Sequence, residues 1–116
     1  MSKRENILLV EDMLVSLKRI LEYTSGMTYD DFLNNQLVKD AVVRNFEIVG
    51  EAANMLSSDF RQQNSNVDWR SLVDFRNKLI HHYFGVYYEI VWEVIAHEVS
   101  DYVELLEMIE KDSDEN

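Results

Sequence analysis

Four residues with chemically useful side chains lie close together near the middle of this 116-residue chain: Arg76, Asn77, His81 and Tyr83. On a helix, residues four apart share a face, so Asn77 and His81 would do so. Arg76 and Tyr83, seven apart, would share the neighbouring face. An arginine binds a phosphate through two parallel hydrogen bonds, and a histidine transfers protons near neutral pH. The set therefore suits phosphate chemistry, although a histidine at a helix end is often only a favourable charge beside the helix dipole.

Arg76 occupies a position where the apolar pattern of its segment calls for a hydrophobic side chain. A guanidinium on a buried face is strongly destabilising unless it has a partner, because it stays charged. Arg76 therefore either pairs with a carboxylate such as Glu47 or Glu51, or lines a cleft or a subunit interface. The pattern around it is formed by Trp69, Leu72, Val73, Leu79, Ile80 and Tyr83.

Helical periodicity accounts for most of the chain and places Arg76 on the third of four main helices. The chain has no Pro and only three Gly, which argues against a sandwich or barrel with frequent turns. On the second main helix, the small residues around Gly50 would let another helix approach closely. We predict an all-α fold, an antiparallel bundle of four main helices plus one short helix. The predicted helices run from Lys3 to Tyr23, from Thr28 through Leu33, from Gln36 to Leu56, from Trp69 to about His82, and from Tyr88 to Lys111.

The boundaries between these helices predict a single domain. Residues 57–66 are polar and are expected to form a loop with at most one short turn. Gly85 is expected to follow the end of the third main helix. We predict one helical domain over residues 1–111, followed by an acidic and disordered tail over residues 112–116.

Composition excludes several classes of function. Because the chain has no Cys, it can hold no Cys-ligated zinc or iron–sulfur site and no disulfide, and a reducing, cytoplasmic setting is expected. No apolar run reaches the roughly 18 to 20 residues that a membrane span needs. His81, His82 and His97 show no spacing typical of metal ligands, so we expect neither a metal nor a cofactor.

The formal net charge of −11 is unevenly distributed. Residues 89–116 hold ten acidic residues and one Lys, which is typical of a solvated face. Residues 61–82 hold four basic and two acidic residues. An acidic surface repels nucleic acid, so RNA would have to be attracted by a local basic patch. The candidates for residues that bind RNA weakly are Arg70, Lys78 and His82.

The segment from Arg76 to Tyr83 resembles the R-x-x-x-x-H-x-Y motif of HEPN-fold proteins. It looks like the motif of HepT-like ribonuclease toxins, which are encoded beside minimal nucleotidyltransferase (MNT) antitoxins in type II or type VII toxin–antitoxin systems. The resemblance to this group extends to segments 23–32, 41–54, 67–69 and 83–86 and to Trp92 beyond them. It therefore covers nearly the whole chain.

The resemblance implies both an activity and its control. It implies a helical homodimer that acts as a metal-independent endoribonuclease on RNA, with the motifs of the two subunits facing each other across a cleft. Arg76 and His81 would be the catalytic pair and Asn77 their polar neighbour. Tyr83 would be the residue that the antitoxin modifies with AMP, and His82 occupies the variable position of the motif.

Two other classes of function stay open at the level of the sequence. A non-catalytic HEPN module, which binds a nucleotide or a partner protein, is compatible with the acidic surface. A purely structural interaction protein would leave Arg76 unexplained unless that residue forms an ion pair. RNA cleavage in EDTA by the natural protein and by a His81→Ala variant separates the enzyme from both alternatives.

Overall fold

Seven helices make up the computed structural model, which describes residues 1–81 and 87–115. No strand occurs in these ranges, so the predicted all-α class is confirmed. The helix end predicted before Gly85 lies outside the described residues. In chain order the helices are α1 (Lys3–Thr24), α2 (Tyr29–Leu33), α3 (Gln36–Met55), α4 (Ser58–Gln63), α5 (Trp69–His81), α6 (Tyr88–His97) and α7 (Val99–Glu115).

Side-chain caps determine where several helices begin. Thr28 starts α2 with a capping box, in which its hydroxyl accepts from the Asp31 N–H while its own N–H donates to the Asp31 carboxylate. At the start of α5, the Asp68 carboxylate accepts from the Ser71 hydroxyl at 2.7 Å and from the Ser71 N–H at 3.0 Å. These two hydrogen bonds lower the pKa of the Asp68 carboxyl. They hold the first turn of α5, about two turns before Arg76.

Helices α1 and α3 form the centre of the bundle, with α7 packed along α1 and α5 packed along α3. The Asn6 side chain exchanges two hydrogen bonds of 3.1 Å with Ser57, which joins the start of α1 to the end of α3 and makes the two helices antiparallel. Burial of the apolar side chains between the helices supplies most of the stabilisation. The completely buried members include Val10, Met13, Leu17 and Ile20 of α1, Val42 and Ala53 of α3, and Val99 and Leu106 of α7.

The predicted helix from Tyr88 to Lys111 is instead divided into α6 and α7, which meet at Glu98. Backbone hydrogen bonds continue across the junction, since the Glu98 N–H donates to the Val94 carbonyl at 2.9 Å and the Tyr102 N–H donates to the Glu98 carbonyl at 3.1 Å. The φ of −124° at Glu98 nevertheless departs from the helical value, so the chain bends at this point. The bend lets α6 pack against α2 while α7 packs along α1. Neither Gly nor Pro lies nearby to signal it in the sequence.

Two other boundaries also differ from the prediction. Helix α4 occupies six residues of the segment that was expected to be a loop. Helix α7 continues to Glu115, so residues 112–115 are helical, whereas a disordered tail was predicted from residue 112. The tail contains no Gly or Pro to end the helix, and the buried side chain of Ile109 holds the preceding turn against the bundle.

No helix within residues 1–81 and 87–115 combines the length and the apolar character that a membrane span requires. Trp69 is buried, as a core residue should be, and Trp92 is half-buried against Phe32, with ring centroids 5.2 Å apart. Both tryptophans therefore contribute to packing.

Candidate active site

The second half of α5 carries the residues that the motif singles out. Arg76 and Asn77 are half-buried, whereas Lys78 and His81 are exposed. The buried side chain of Leu79 lies on the same side of the helix as Arg76, nearly opposite His81. Burial on one side anchors α5 to the bundle and leaves the polar side chains at its edge and on its outer face.

Gly50 of α3 allows the backbone of α5 to approach closely at Arg76. A Cβ atom placed on residue 50 would overlap the Cβ of Arg76 and would lie 2.8 Å from both the Arg76 Cγ and the Leu72 carbonyl oxygen. Only a glycine leaves this space open. The close approach predicted for the small residues around Gly50 is therefore confirmed, and the residue that fills the space is the stem of Arg76.

The guanidinium of Arg76 lies half-buried at this helix contact. One terminal nitrogen, Nη1, donates a hydrogen bond of 3.0 Å to the Oδ1 of Asn77. The Nε atom is buried and has no hydrogen-bond partner among the described residues. A buried donor without a partner is unfavourable, so this position is costly for the fold.

The carboxylate partners suggested by the sequence do not pair with Arg76. Glu47 forms its ion pair with Arg44 at 3.6 Å, and Glu51 is exposed on α3. No salt bridge to Arg76 forms within the described part of the chain. Of the alternatives for Arg76, the ion pair with Glu47 or Glu51 is therefore wrong. The positive charge of Arg76 is held in place by packing and by a neutral amide.

Asn77 links Arg76 to the side of α5 that carries His81. On an ideal helix, Arg76 and His81 project about 140° apart, whereas Asn77 and His81 are one turn apart and nearly aligned. The hydrogen bond to Asn77 directs the end of the Arg76 side chain round the helix toward His81. Sequence spacing alone does not signal this bond, because adjacent residues on a helix normally point in different directions.

The other predicted site residues have different surroundings. Arg70 lies in the first turn of α5 and pairs with Asp74 at 3.8 Å, with both side chains exposed, so the pair is weak. Lys78 is exposed one turn before His81 and forms no ion pair with another described residue. His82 and Tyr83 lie outside the described residues.

Potential metal ligands are dispersed over the surface. The described ranges contain no group of three or more His, Asp or Glu side chains that could hold a metal ion. His97, on the last turn of α6, is exposed and lies 3.3 Å from the carboxylate of Glu93 one turn earlier. The imidazole of His97 is thus a surface group of α6.

Gly50→Ala should disturb the site through the helix contact. Overpacking typically destabilises a protein by about 1–3 kcal/mol, and the better helix propensity of alanine offsets about 1 kcal/mol. We expect a net loss of up to about 2 kcal/mol in the free energy of unfolding, measured by urea denaturation. Because a shift of about 1 Å in the position of a catalytic group can lower the reaction rate about 10²-fold, the rate of RNA cleavage should fall by a similar factor.

Asn54→Ala is the matched control, because Asn54 is exposed on the same helix. This variant should retain stability within about 0.5 kcal/mol and should retain full activity. If Gly50→Ala behaves like the control, the spacing between α3 and α5 does not depend on Gly50.

Comparison with known proteins identifies the family to which the chain belongs. Residues 13–109 match the family model described as "Ribonuclease HepT-like". The chain is 38% identical over 119 residues to "Putative RNase MJ0127" of Methanocaldococcus jannaschii, covering 100% of this chain and 98% of that protein. It is 33% identical over 97 residues to "Probable ribonuclease HepT" of Thermococcus cleftensis, covering 84% and 88% of the two chains. No solved structure matches the chain.

The family model spans most of the helical bundle, including all of α5 and its motif. The two relatives cover most or all of the chain at identities above 30%. These matches confirm the family that the segment from Arg76 to Tyr83 and its flanks predicted. The chain belongs to the HepT-like ribonuclease family.

Proposed function

We propose that this protein is an endoribonuclease that cleaves RNA without a metal ion, using Arg76 and His81. The observation that carries the proposal is the state of Arg76. Its guanidinium is half-buried, unpaired by any carboxylate of the described residues, and directed by Asn77 toward the side of α5 that bears His81. An arginine held in this way is preorganised to bind a phosphate.

The chemistry needs one proton acceptor and one source of positive charge. The imidazole of His81 takes the proton from a ribose 2′-hydroxyl, and the oxygen attacks the adjacent phosphorus. Arg76 binds the phosphate oxygens, on which negative charge builds up in the transition state. The bond from phosphorus to the 5′-oxygen breaks, and that oxygen takes a proton from water. The products are a 2′,3′-cyclic phosphate and a 5′-hydroxyl end.

The assay for this activity is cleavage of a labelled RNA in the presence of EDTA. The protein should cleave at a rate that is independent of added Mg²⁺ and should leave cyclic phosphate ends. Binding of RNA without cleavage would instead favour the non-catalytic module, which the net charge of −11 makes the second candidate.

We further propose that the active unit is a homodimer in which the two copies of the motif face a shared cleft. The half-buried apolar side chains of Val73 and Ile80 on the same helix as Arg76 support this. A monomer of 116 residues has little depth to enclose an RNA strand. Light scattering at micromolar concentration should give twice the mass of one chain, and a stable monomer would contradict the dimer.

The biological role that we propose is that of a toxin controlled by a nucleotidyltransferase antitoxin. In the motif, Tyr83 follows His81 by two residues and Arg76 by seven. Transfer of AMP from ATP to the Tyr83 oxygen, with release of pyrophosphate, would add a negative phosphate and a bulky nucleoside beside these residues. The phosphate would compete for Arg76 and the nucleoside would exclude RNA.

Adenylylation of Tyr83 should therefore abolish cleavage. Mass spectrometry of the protein co-expressed with its antitoxin should find added AMP on the peptide that contains Tyr83. Tyr83→Phe should remain toxic when the antitoxin is present. Modification of Tyr87 or Tyr88 instead, or cleavage by the modified protein, would contradict this mode of control.

A further inference from the structure

A groove separates α5 from the bend between α6 and α7. Its volume is about 260 Å³, and it reaches down to Leu17 of α1 and Phe46 of α3. Phe75 of α5 and Val94 of α6 form its walls. Pockets for drug-sized ligands are usually larger, about 300–1,000 Å³, so this groove suits a single flat ring system.

The mouth of the groove is polar and carries one carboxylate that is free to bind a ligand. Asp74 and Glu98 both line it, but Asp74 faces Arg70 at 3.8 Å. The exposed carboxylate of Glu98 has no hydrogen bond or ion pair with other described residues. Glu98 is also the residue at which α6 and α7 meet, so the bend itself places this residue at the groove.

Tyr102 lies beside Glu98 and strengthens the acceptor character of the mouth. Tyr102 is also a lining residue of the groove, and its hydroxyl donates to the Asp68 carbonyl oxygen at 3.0 Å. Burial, together with the charges of Asp68 and Glu98, raises the pKa of Tyr102 to about 12. The phenol therefore stays protonated and keeps this bond, so toward a ligand it can only accept. The mouth therefore suits a flat ring whose edge carries several N–H donors.

The groove adjoins the proposed active site through α5. Lys78 lines it and carries an exposed amine, and His81 follows three residues later. Residues three apart on a helix have Cβ atoms about 5–6 Å apart. An RNA strand with a phosphate beside Lys78 and His81 could thus place the neighbouring base over the groove.

Among the four RNA bases, guanine fits the groove best. Unpaired bases are recognised by apolar contacts to their rings and by hydrogen bonds to their Watson–Crick edge. On that edge guanine alone presents two adjacent donors, N1–H and the N2 amino group, which match the two oxygens of one carboxylate. Uracil presents a single N–H between two carbonyl oxygens, and adenine and cytosine each place a ring acceptor beside their amino group. A carboxylate repels those acceptors.

We propose that this groove binds a guanine base of the RNA substrate, with Glu98 accepting from its N1–H and N2–H. The inference rests on the proposed ribonuclease function and adds its base preference. The ring lies between Phe75 and Val94, and Lys78 contacts the phosphate that joins the base to the cleavage point.

The first test is direct binding of mononucleotides to the folded protein, followed by NMR. Guanosine monophosphate should shift the signals of Phe75 and Val94 and should bind about tenfold more tightly than uridine monophosphate. Glu98→Gln should lower the affinity for guanosine monophosphate by about tenfold. Glu104→Gln is the matched control, because it removes the same charge from an exposed position on α7, and it should leave the affinity unchanged.

The second test maps the cleaved bonds in a mixed-sequence RNA. The natural protein should cleave preferentially next to guanine, and Glu98→Gln should lose this preference while Glu104→Gln retains it. Equal binding of guanosine and uridine monophosphates, or an affinity that Glu98→Gln leaves unchanged, would overturn the proposal. If the natural protein cleaved no RNA, the ribonuclease function would fail, and the binding experiment would still decide whether the groove recognises guanine.

Discussion

Arg76→Ala should lower the rate of RNA cleavage by about 10²–10³-fold, the usual effect of removing one preorganised donor from a developing negative charge. The guanidinium is the half-buried cation of the site and no carboxylate of the described residues neutralises it. Its loss removes both the phosphate contact and the charge. The measurement is a single-turnover cleavage rate in EDTA with protein in excess over RNA.

Arg76→Lys separates the charge from the geometry. Lysine retains the positive charge but lacks the planar fork that binds two phosphate oxygens at once. We expect a rate between those of the natural protein and of Arg76→Ala. Because the stem of Arg76 packs against Gly50, circular dichroism and urea denaturation must accompany both variants. A folded Arg76→Lys or Arg76→Ala protein that cleaves at the natural rate would show that this arginine takes no part in catalysis.

His81→Ala should lower the cleavage rate by about 10²–10⁴-fold, the range typical of a lost general acid or base. His81 is exposed at the last described turn of α5, so the substitution should change the free energy of unfolding by less than about 0.5 kcal/mol. The variant therefore isolates the chemistry from the fold. The rate is measured under the same single-turnover conditions as for Arg76.

His97→Ala is the control for His81, because His97 is equally an exposed histidine on a helix but lies on α6 beside Glu93. It should cleave RNA at the natural rate. If His81→Ala retained full activity, the proton acceptor would have to be sought elsewhere. Equal losses in the two histidine variants would point to a general effect of surface charge.

The helices could be predicted from the sequence because their local signals agree with their packing. Thr28 with Asp31 marks the start of α2, and apolar spacing marks the buried sides of α1 and α3. The bend at Glu98 could not be predicted in this way. It comes from α6 and α7 packing against different helices, and the apolar period runs through it without interruption.

The candidate site could be predicted only in part for a similar reason. The position of Arg76 on an apolar stripe correctly marked it as unusual, and the small residues around Gly50 correctly marked a close helix contact. The partner of Arg76 was missed, because the sequence offered Glu47 and Glu51 as its possible partners, whereas the side chain turns to Asn77. The groove beside Glu98 was also missed, since it depends on the bend and on five helices meeting.

The central claim is that Arg76 and His81 support attack by the ribose 2′-hydroxyl without a metal ion. The most direct measurement compares two strands of the same sequence, an ordinary RNA and a strand in which every 2′-hydroxyl is replaced by a 2′-methoxy group. Both strands are incubated with the protein in EDTA. The account predicts that the RNA is cut to 2′,3′-cyclic phosphate ends and that the 2′-methoxy strand stays intact. Cleavage of both strands, or cleavage that stops in EDTA and returns with Mg²⁺, would contradict it.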